Sequence, residues 1–282
     1  MKTPREILQR HGLRAKHSWG QNFLGDPDVL EAIADALELR EGEPVVELGP
    51  GLGHLTRFLA ATRARVTAVE KDRDMIAVLE KEAIEGVRVV DGNAATVDFA
   101  EVAGAPQVKV AGNLPYHLTS SILFQVLEQR EHVTHAVFTL QKEVVDRLAA
   151  EPGGRDYGLL TAILKLYFTS ENLFDIEAAR FHPPPKVDSA VLRLIRRPEP
   201  LAPVVDGARF IRVVKAGFAQ RRKTLINSLK SDKSLGSHEQ LVAALATAGI
   251  DSTRRAETLS SVEFAAIERA LGPLAPPEAR GA

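Results

Sequence analysis

Asn113-Leu114-Pro115-Tyr116 closes the run Val108-Lys109-Val110-Ala111 and carries groups suited to work on an amine. The exocyclic amine of a purine is a poor nucleophile, because its lone pair is delocalised into the ring. An Asn side-chain oxygen and a backbone carbonyl placed on its two hydrogens favour a pyramidal nitrogen and free that pair. Pro115 holds the backbone of such a turn, and Tyr116 can stack on an extruded base. The same residues also fit a plain strand-end turn with a buried tyrosine.

Two further constellations bear on a cofactor. Glu47-Leu48-Gly49-Pro50-Gly51-Leu52-Gly53 follows a strand-like run and opens a helical one. Glycines there let the backbone turn tightly and approach a ligand closely, although a tight connection alone would use them too. The dinucleotide fingerprint G-x-G-x-x-G is not met, since His54 stands at its third glycine, which disfavours a nicotinamide enzyme. Glu70 ends the next strand-like run, where an acid can accept hydrogen bonds from ribose hydroxyls or simply cap the following helix. Taken jointly, the glycine turn and the acid favour an adenosyl group. The histidines offer no metal site, because His132 and His135 lack a third ligand nearby.

These residues need a scaffold that brings strand ends together. Short β-branched runs at 44–48, 65–70, 87–90, 108–111 and 133–140 read as strands. Helical spacing of apolar residues covers 53–61, 72–84, 118–129 and 141–150. Strand–helix alternation predicts an open, mostly parallel α/β sheet, Rossmann-like, with ligands beyond the carboxyl ends of the strands. After Pro152-Gly153-Gly154 the pattern predicts a helix over 157–168 and strands over 173–181 and 187–195. His182-Pro183-Pro184-Pro185 separates them, and because its three prolines cannot pair in a ladder it reads as a rigid extended loop. The Pro-rich stretch 198–207 marks a boundary, predicting a domain over 1–200 and a smaller C-terminal helical domain over 201–282, with a frayed tail from Pro273.

Composition bounds the rest. The 282 residues are 45% hydrophobic and 26% charged, as in an ordinary globular protein. Absence of cysteine excludes disulfides and thiolate zinc sites and fits a reducing cytoplasm. No apolar run approaches a membrane span, and Lys2, Arg5, Arg10, Arg14 and Lys16 leave no apolar segment for a signal peptide. A cytoplasmic protein is expected. The net charge of -1 hides an asymmetry, since residues 193–233 hold eleven Lys or Arg against Glu199, Asp206 and Asp232. Basic ends around an acidic body fit either a polyanion partner or solvated helix faces.

Four motifs in order resemble the ribosomal RNA adenine dimethyltransferase family, in its bacterial small-subunit form. They are Ser18-Trp19-Gly20-Gln21-Asn22-Phe23-Leu24, the tetrapeptide Asn113 to Tyr116, the loop Phe181 to Ser189, and Gln220-Arg221-Arg222-Lys223-Thr224-Leu225 with Asn227 and Leu229. The resemblance implies transfer of methyl groups from S-adenosylmethionine to N6 of two adjacent adenines in the 3'-terminal hairpin of small-subunit ribosomal RNA, a step of ribosome biogenesis. It implies cofactor contacts from Asn22, Leu24, Gly49, Gly51, Glu70 and Asn113, and catalytic roles for Asn113, Leu114, Pro115 and Tyr116, with Tyr116 and Phe181 sandwiching the flipped adenine. Arg221, Arg222 and Lys223 would grip RNA, and Lys186 would meet a phosphate or solvent. The partner implied is small-subunit RNA within a pre-assembled particle, with a monomer favoured and no metal. One position departs from the family pattern: Gly92-Asn93-Ala94 carries Asn93 where Asp is usual. Asn93 is still expected to pair with the cofactor's adenine, without the charge-assisted part.

Three rivals share parts of this pattern. A large-subunit RNA adenine methyltransferase of the antibiotic-resistance type would keep the core. A ribosome-assembly factor without catalysis would not require the tetrapeptide intact. A DNA adenine methyltransferase is not separated by the basic extension.

Overall fold

A computed structural model describes residues 1–154 and 156–272. The expected frayed tail from Pro273 lies outside the described residues. In chain order the elements are α1 (Pro4–Arg10), β1 (Phe23–Leu24), α2 (Pro27–Asp35), β2 (Pro44–Leu48), α3 (His54–Ala61), β3 (Arg65–Glu70), α4 (Arg73–Glu82) and β4 (Val87–Asp91). They continue with α5 (Phe99–Ala103), β5 (Val108–Asn113), α6 (Thr119–Glu128), β6 (Val133–Gln141), α7 (Lys142–Ala149), α8 (Leu159–Tyr167) and β7 (Phe168–Ile176). The remainder are β8 (Phe181–His182), β9 (Ser189–Arg196), α9 (Gly207–Phe218), α10 (Leu225–Leu229), α11 (His238–Thr247) and α12 (Ser261–Ala270).

Seven strands form one sheet in the order β4-β3-β2-β5-β6-β9-β7. The pairs β3–β4, β2–β3, β2–β5 and β5–β6 are parallel, and β9 returns antiparallel to β6. The expected α/β sheet is therefore present. The chain leaves β2 toward β3 on one side and later crosses to β5 on the other, so a crevice opens beyond the carboxyl end of β2. Strands β2 and β5 are buried along almost their whole length, which fits their Val, Leu and Ala content, although each also carries one charged residue, Glu47 and Lys109. Leu55 and Leu59 of α3 and Leu30 and Ile33 of α2 pack with Val45, Val66, Ala111 and Val137 of the sheet.

Several features differ from the sequence reading, which included none of the helices α1, α2 and α5. A two-stranded ladder, β1 with β8, pairs Phe23 with His182 and Leu24 with Phe181. Strands of two residues carry too little alternation to register as a pattern. Strand β7 also begins at Phe168, five residues earlier than expected. Its polar start, Thr169-Ser170-Glu171-Asn172, hid an edge strand, whose position at the sheet margin tolerates polar side chains.

Contacts group the chain into two units, one of residues 1–146 and 169–196, the other of residues 147–168 and 197–272 within the described range. The first contains the sheet. In the second, Phe218 packs between the rings of Tyr157 and Phe264, at 6.2 and 5.8 Å. The buried Arg209–Glu268 ion pair joins α9 to α12, Glu268 also accepting from the backbone N–H groups of Val205 and Asp206. Such a pair is costly to break from one side, since the survivor would be a buried unpaired charge.

Candidate active site

The groups that line the cavity described below belong to the sheet-bearing unit. Strand β2 delivers the glycine turn, and Gly51 adopts φ 56° in the left-handed region. A Cβ there would also stand 2.8 Å from the ring of Phe23, so both conformation and space require glycine. Strand β3 delivers Glu70, whose Oε2 accepts the Gly51 N–H at 3.0 Å while Oε1 accepts the N–H groups of Lys71 and Asp72. Burial raises the pKa of Glu70, and those three backbone donors oppose it. The acid thus clasps the turn that precedes α3.

Glu47, one residue before the end of β2, was noted in the sequence only as part of the glycine run. It is 1% exposed, and its Oε2 has no hydrogen-bond partner among the described residues. Burial pushes its pKa up to about 8, with the Glu70 carboxylate acting in the same direction. A buried acid in an apolar strand carries no periodicity signal, so only tertiary burial exposes its importance.

Strand β5 delivers Asn113, whose Nδ2 donates to the Asn22 carbonyl at 2.9 Å. A carbonyl can only accept, so the amide must present its NH2 to Asn22, and Oδ1 is left for a ligand. The Pro115 carbonyl is already engaged by the Leu118 N–H at 2.9 Å. The Tyr116 phenol shares a 2.9 Å hydrogen bond with Ser189 Oγ, at the fully buried start of β9. Burial raises the Tyr116 pKa, so the phenol stays neutral.

The segment 16–24 runs over the same place. Lys16 Nζ meets Asp72 at 2.6 Å and Asp74 at 2.7 Å, and Gln21 Nε2 donates to Asp72 at 2.7 Å. Asp72 is itself buried and caps α4. Sequence inspection missed this latch, because Lys16 and Asp72 are far apart in the chain.

One cavity is lined jointly by Trp19 through Leu24, Glu47, Gly49, Gly51, Glu70, Asn113, Leu114, Pro115 and Tyr116. Of the residues expected to bind cofactor or catalyse, Asn22, Leu24, Gly49, Gly51, Glu70 and the tetrapeptide come together there. Asn93 and Phe181 are outside this lining. Asn93 is exposed after β4, and its Oδ1 accepts the Ala95 N–H at 3.0 Å. Phe181 is 4% exposed, faces Leu24 across the short ladder and joins the core. Arg221, Arg222 and Lys223 belong to the other unit, where they are exposed in the turn between α9 and α10, with Arg221 Nε 3.7 Å from Glu257. Among the described residues no cluster of His, Asp and Glu could hold a metal ion. No helix among them is long and apolar enough to cross a membrane.

A parallel sheet with a glycine turn after one strand, an acid ending the next and Asn-Leu-Pro-Tyr ending a third defines a methyltransferase-type α/β domain. Residues 12–271 match the ribosomal RNA adenine dimethylase family. Over 276 residues the chain is 76% identical to the ribosomal RNA small subunit methyltransferase A of Myxococcus xanthus, covering 98% of each. Among solved structures it is similar to the 23S rRNA methyltransferase ErmE, with 30% identity, a TM-score of 0.67 and coverage of 89% of this chain and 100% of that one. A dimethyladenosine transferase from Plasmodium falciparum shares the fold at a TM-score of 0.75, with 24% identity over 87% of this chain and 95% of that one. The chain belongs to the ribosomal RNA adenine dimethylase family, and it is an enzyme that methylates adenine in ribosomal RNA.

Proposed function

We propose that the chain transfers methyl groups from S-adenosylmethionine to N6 of adenines in small-subunit ribosomal RNA, giving dimethyladenosine, with two adjacent adenines of the 3'-terminal hairpin as targets. The observation that carries the reading is the Asn113–Asn22 hydrogen bond, which commits the amide so that Oδ1 remains to accept from the target amine. The name of the Myxococcus relative supports the small subunit, at far higher identity than the 23S enzyme.

The cavity suits the cofactor on this chain's own chemistry. Gly51 lets the turn pass the Phe23 ring with no side chain between them, Glu70 Oε2, which accepts only the Gly51 N–H, keeps a lone pair for a ribose hydroxyl, and the Glu47 Oε2 without a hydrogen-bond partner offers an acceptor for the ammonium. Asn22, Leu24 and Gly49 complete the walls, and Asn93 would pair with the adenine from the end of β4. When bound, S-adenosylmethionine supplies a methyl already activated by a positive sulfur, so no strong base is required. Asn113 Oδ1 and the Leu114 carbonyl accept the two amine hydrogens, localise the lone pair on nitrogen and stabilise the positive charge that develops there. Pro115 keeps that carbonyl in place, and Tyr116, tethered through Ser189, presents its ring to the extruded base. Alignment of amine and methyl does the rest: the C–N bond would form as the C–S bond breaks, the sulfur leaving as a neutral thioether, and the methylated amine would lose its extra proton to water.

Arg221, Arg222 and Lys223 contact phosphates in this reading. The substrate is a pre-assembled small-subunit particle, met in the cytoplasm by a monomer. Labelled methyl transfer to unmethylated small subunits, followed by nucleoside analysis, tests the proposal, with large subunits as control. Dimethyladenosine should form in small-subunit RNA and fall roughly 10²–10³-fold in Asn113→Ala, the usual scale for removing one group that stabilises developing charge. Tight subunit binding without transfer would instead favour an assembly factor.

A further inference from the structure

Trp19 is the chain's single tryptophan, and it is 41% exposed at the lining of the cavity that also holds Tyr116. Exposure of so large an apolar ring is unfavourable unless something covers it, and tryptophan concentrates where one face must meet a partner. The ring is also held in place. It sits in a short helical turn, His17–Trp19, which ends at Gly20 in the left-handed conformation. A Cβ on Gly20 would come within 3.3 Å of the His117 ring and 3.6 Å of Pro115, so this turn is backed directly by the catalytic tetrapeptide loop. Lys16 Nζ, bound to Asp72 and Asp74, lies 5.6 Å from the indole centroid. A pre-positioned, half-open aromatic loses little conformational freedom on binding.

We propose that Trp19 is a stacking platform for the RNA strand at the cavity mouth, taking the face of a base next to the adenine that Tyr116 receives. The inference rests on the reading of the site as an RNA adenine methyltransferase. Extruding a base unstacks its neighbours, and an aromatic face beside the entrance replaces the stacking they lose. The interaction is indifferent to base identity, because every base offers a π-face. Trp19 therefore contributes to RNA affinity and to holding the strand open rather than to choosing the sequence.

The single tryptophan reports on itself. Wild-type fluorescence would be titrated with a short single-stranded oligoribonucleotide containing adjacent adenines, with and without S-adenosylhomocysteine. Quenching that saturates with the oligoribonucleotide in both series is expected. A change produced by S-adenosylhomocysteine alone, with none from RNA, would overturn the proposal and assign the ring to covering the cofactor. Steady-state transfer to small subunits supplies the second measurement. Trp19→Ala should raise KM for subunits roughly 5- to 150-fold, the range that loss of one stacked base implies, while KM for S-adenosylmethionine stays within about twofold. Trp19→Phe should recover most of the loss. An unchanged KM for subunits, or an equal rise in both KM values, would sink the idea, the latter by showing a collapsed segment 16–24. Absence of any transfer by the wild type would instead remove the underlying reading, leaving the titration to decide RNA stacking separately.

Discussion

Glu47 and Tyr116 are placed by different forces, and each makes a measurable claim. The Glu47 carboxyl has a pKa raised from 4.5 to about 8, chiefly by burial. The folded state therefore keeps a proton that the unfolded chain releases near its ordinary value. Folding stability contributed by this group is full below pH 4.5, declines as pH rises from 4.5 to 8, and is flat above. Urea midpoints of wild type and Glu47→Gln should diverge over that window, to the detriment of the wild type and by a few kcal/mol at most, about what a shift of this size allows. Parallel profiles would mean the acid is not titrating in the fold. For Tyr116, the hydrogen bond to Ser189 predicts that Tyr116→Phe and Ser189→Ala each slow transfer by roughly 2- to 10-fold, the scale of one modest hydrogen bond. The double variant should be no slower than either single one, and additive losses would show that the two groups act apart.

At the scale of elements, β5 matters through its contact with β2. A Cβ on Gly112 would stand 2.6 Å from the Leu48 carbonyl oxygen and 2.7 Å from a Leu114 methyl. The first obstacle is backbone of the neighbouring strand and cannot swing aside. Gly112→Ala should cost at least ~1–3 kcal/mol, the usual range for overpacking a tight interior, read as a lowered midpoint of denaturant unfolding. Since Asn113 is the next residue, methyl transfer should fall further than the stability loss explains. A fully stable, fully active variant would contradict the close approach of β5 to β2. The latch of Lys16 and Gln21 on Asp72 is the other element-level feature, joining the segment that carries Asn22 to the helix that begins just after Glu70.

For the molecule as a whole, the basic run of residues 193–233 is the feature that would meet a polyanion, although within it Arg193 is paired with Glu38 and Glu171, and buried Arg209 with Glu268. Residues 193–233 hold eleven basic against three acidic side chains although the net charge is only -1. Replacing Arg221, Arg222 and Lys223 together by alanine should weaken RNA binding and reduce the slope of log K against log salt by roughly 2, if each neutralises one phosphate. Binding of S-adenosylhomocysteine should be unchanged, because these residues belong to a different compact unit from the cofactor cavity. Equal loss of both ligands would point to misfolding.

Much of this protein was legible locally. Alternation and helical spacing depend on near neighbours in the chain, so the strands at 44–48, 65–70 and 133–140 and the helices near 53–61, 72–84 and 118–129 could be read directly, whereas the five-residue α5 was too short to show a period. The glycine turn, Glu70 and the tetrapeptide were legible for the same reason, each being a short run at a strand end. What tertiary structure alone decided concerns pairs distant in sequence. The commitment of Asn113 to the Asn22 carbonyl, the Tyr116–Ser189 bond and the Asp72 latch span 91, 73 and 56 residues. Burial is likewise a property of the whole fold. It set Phe181 in the core and left Trp19 open, though both are aromatic residues in motifs of similar appearance. It also turned Glu47 from one polar letter in a strand into a buried acid with one oxygen, Oε2, left unpaired, because removing water from a carboxyl takes the packing of the layers around it.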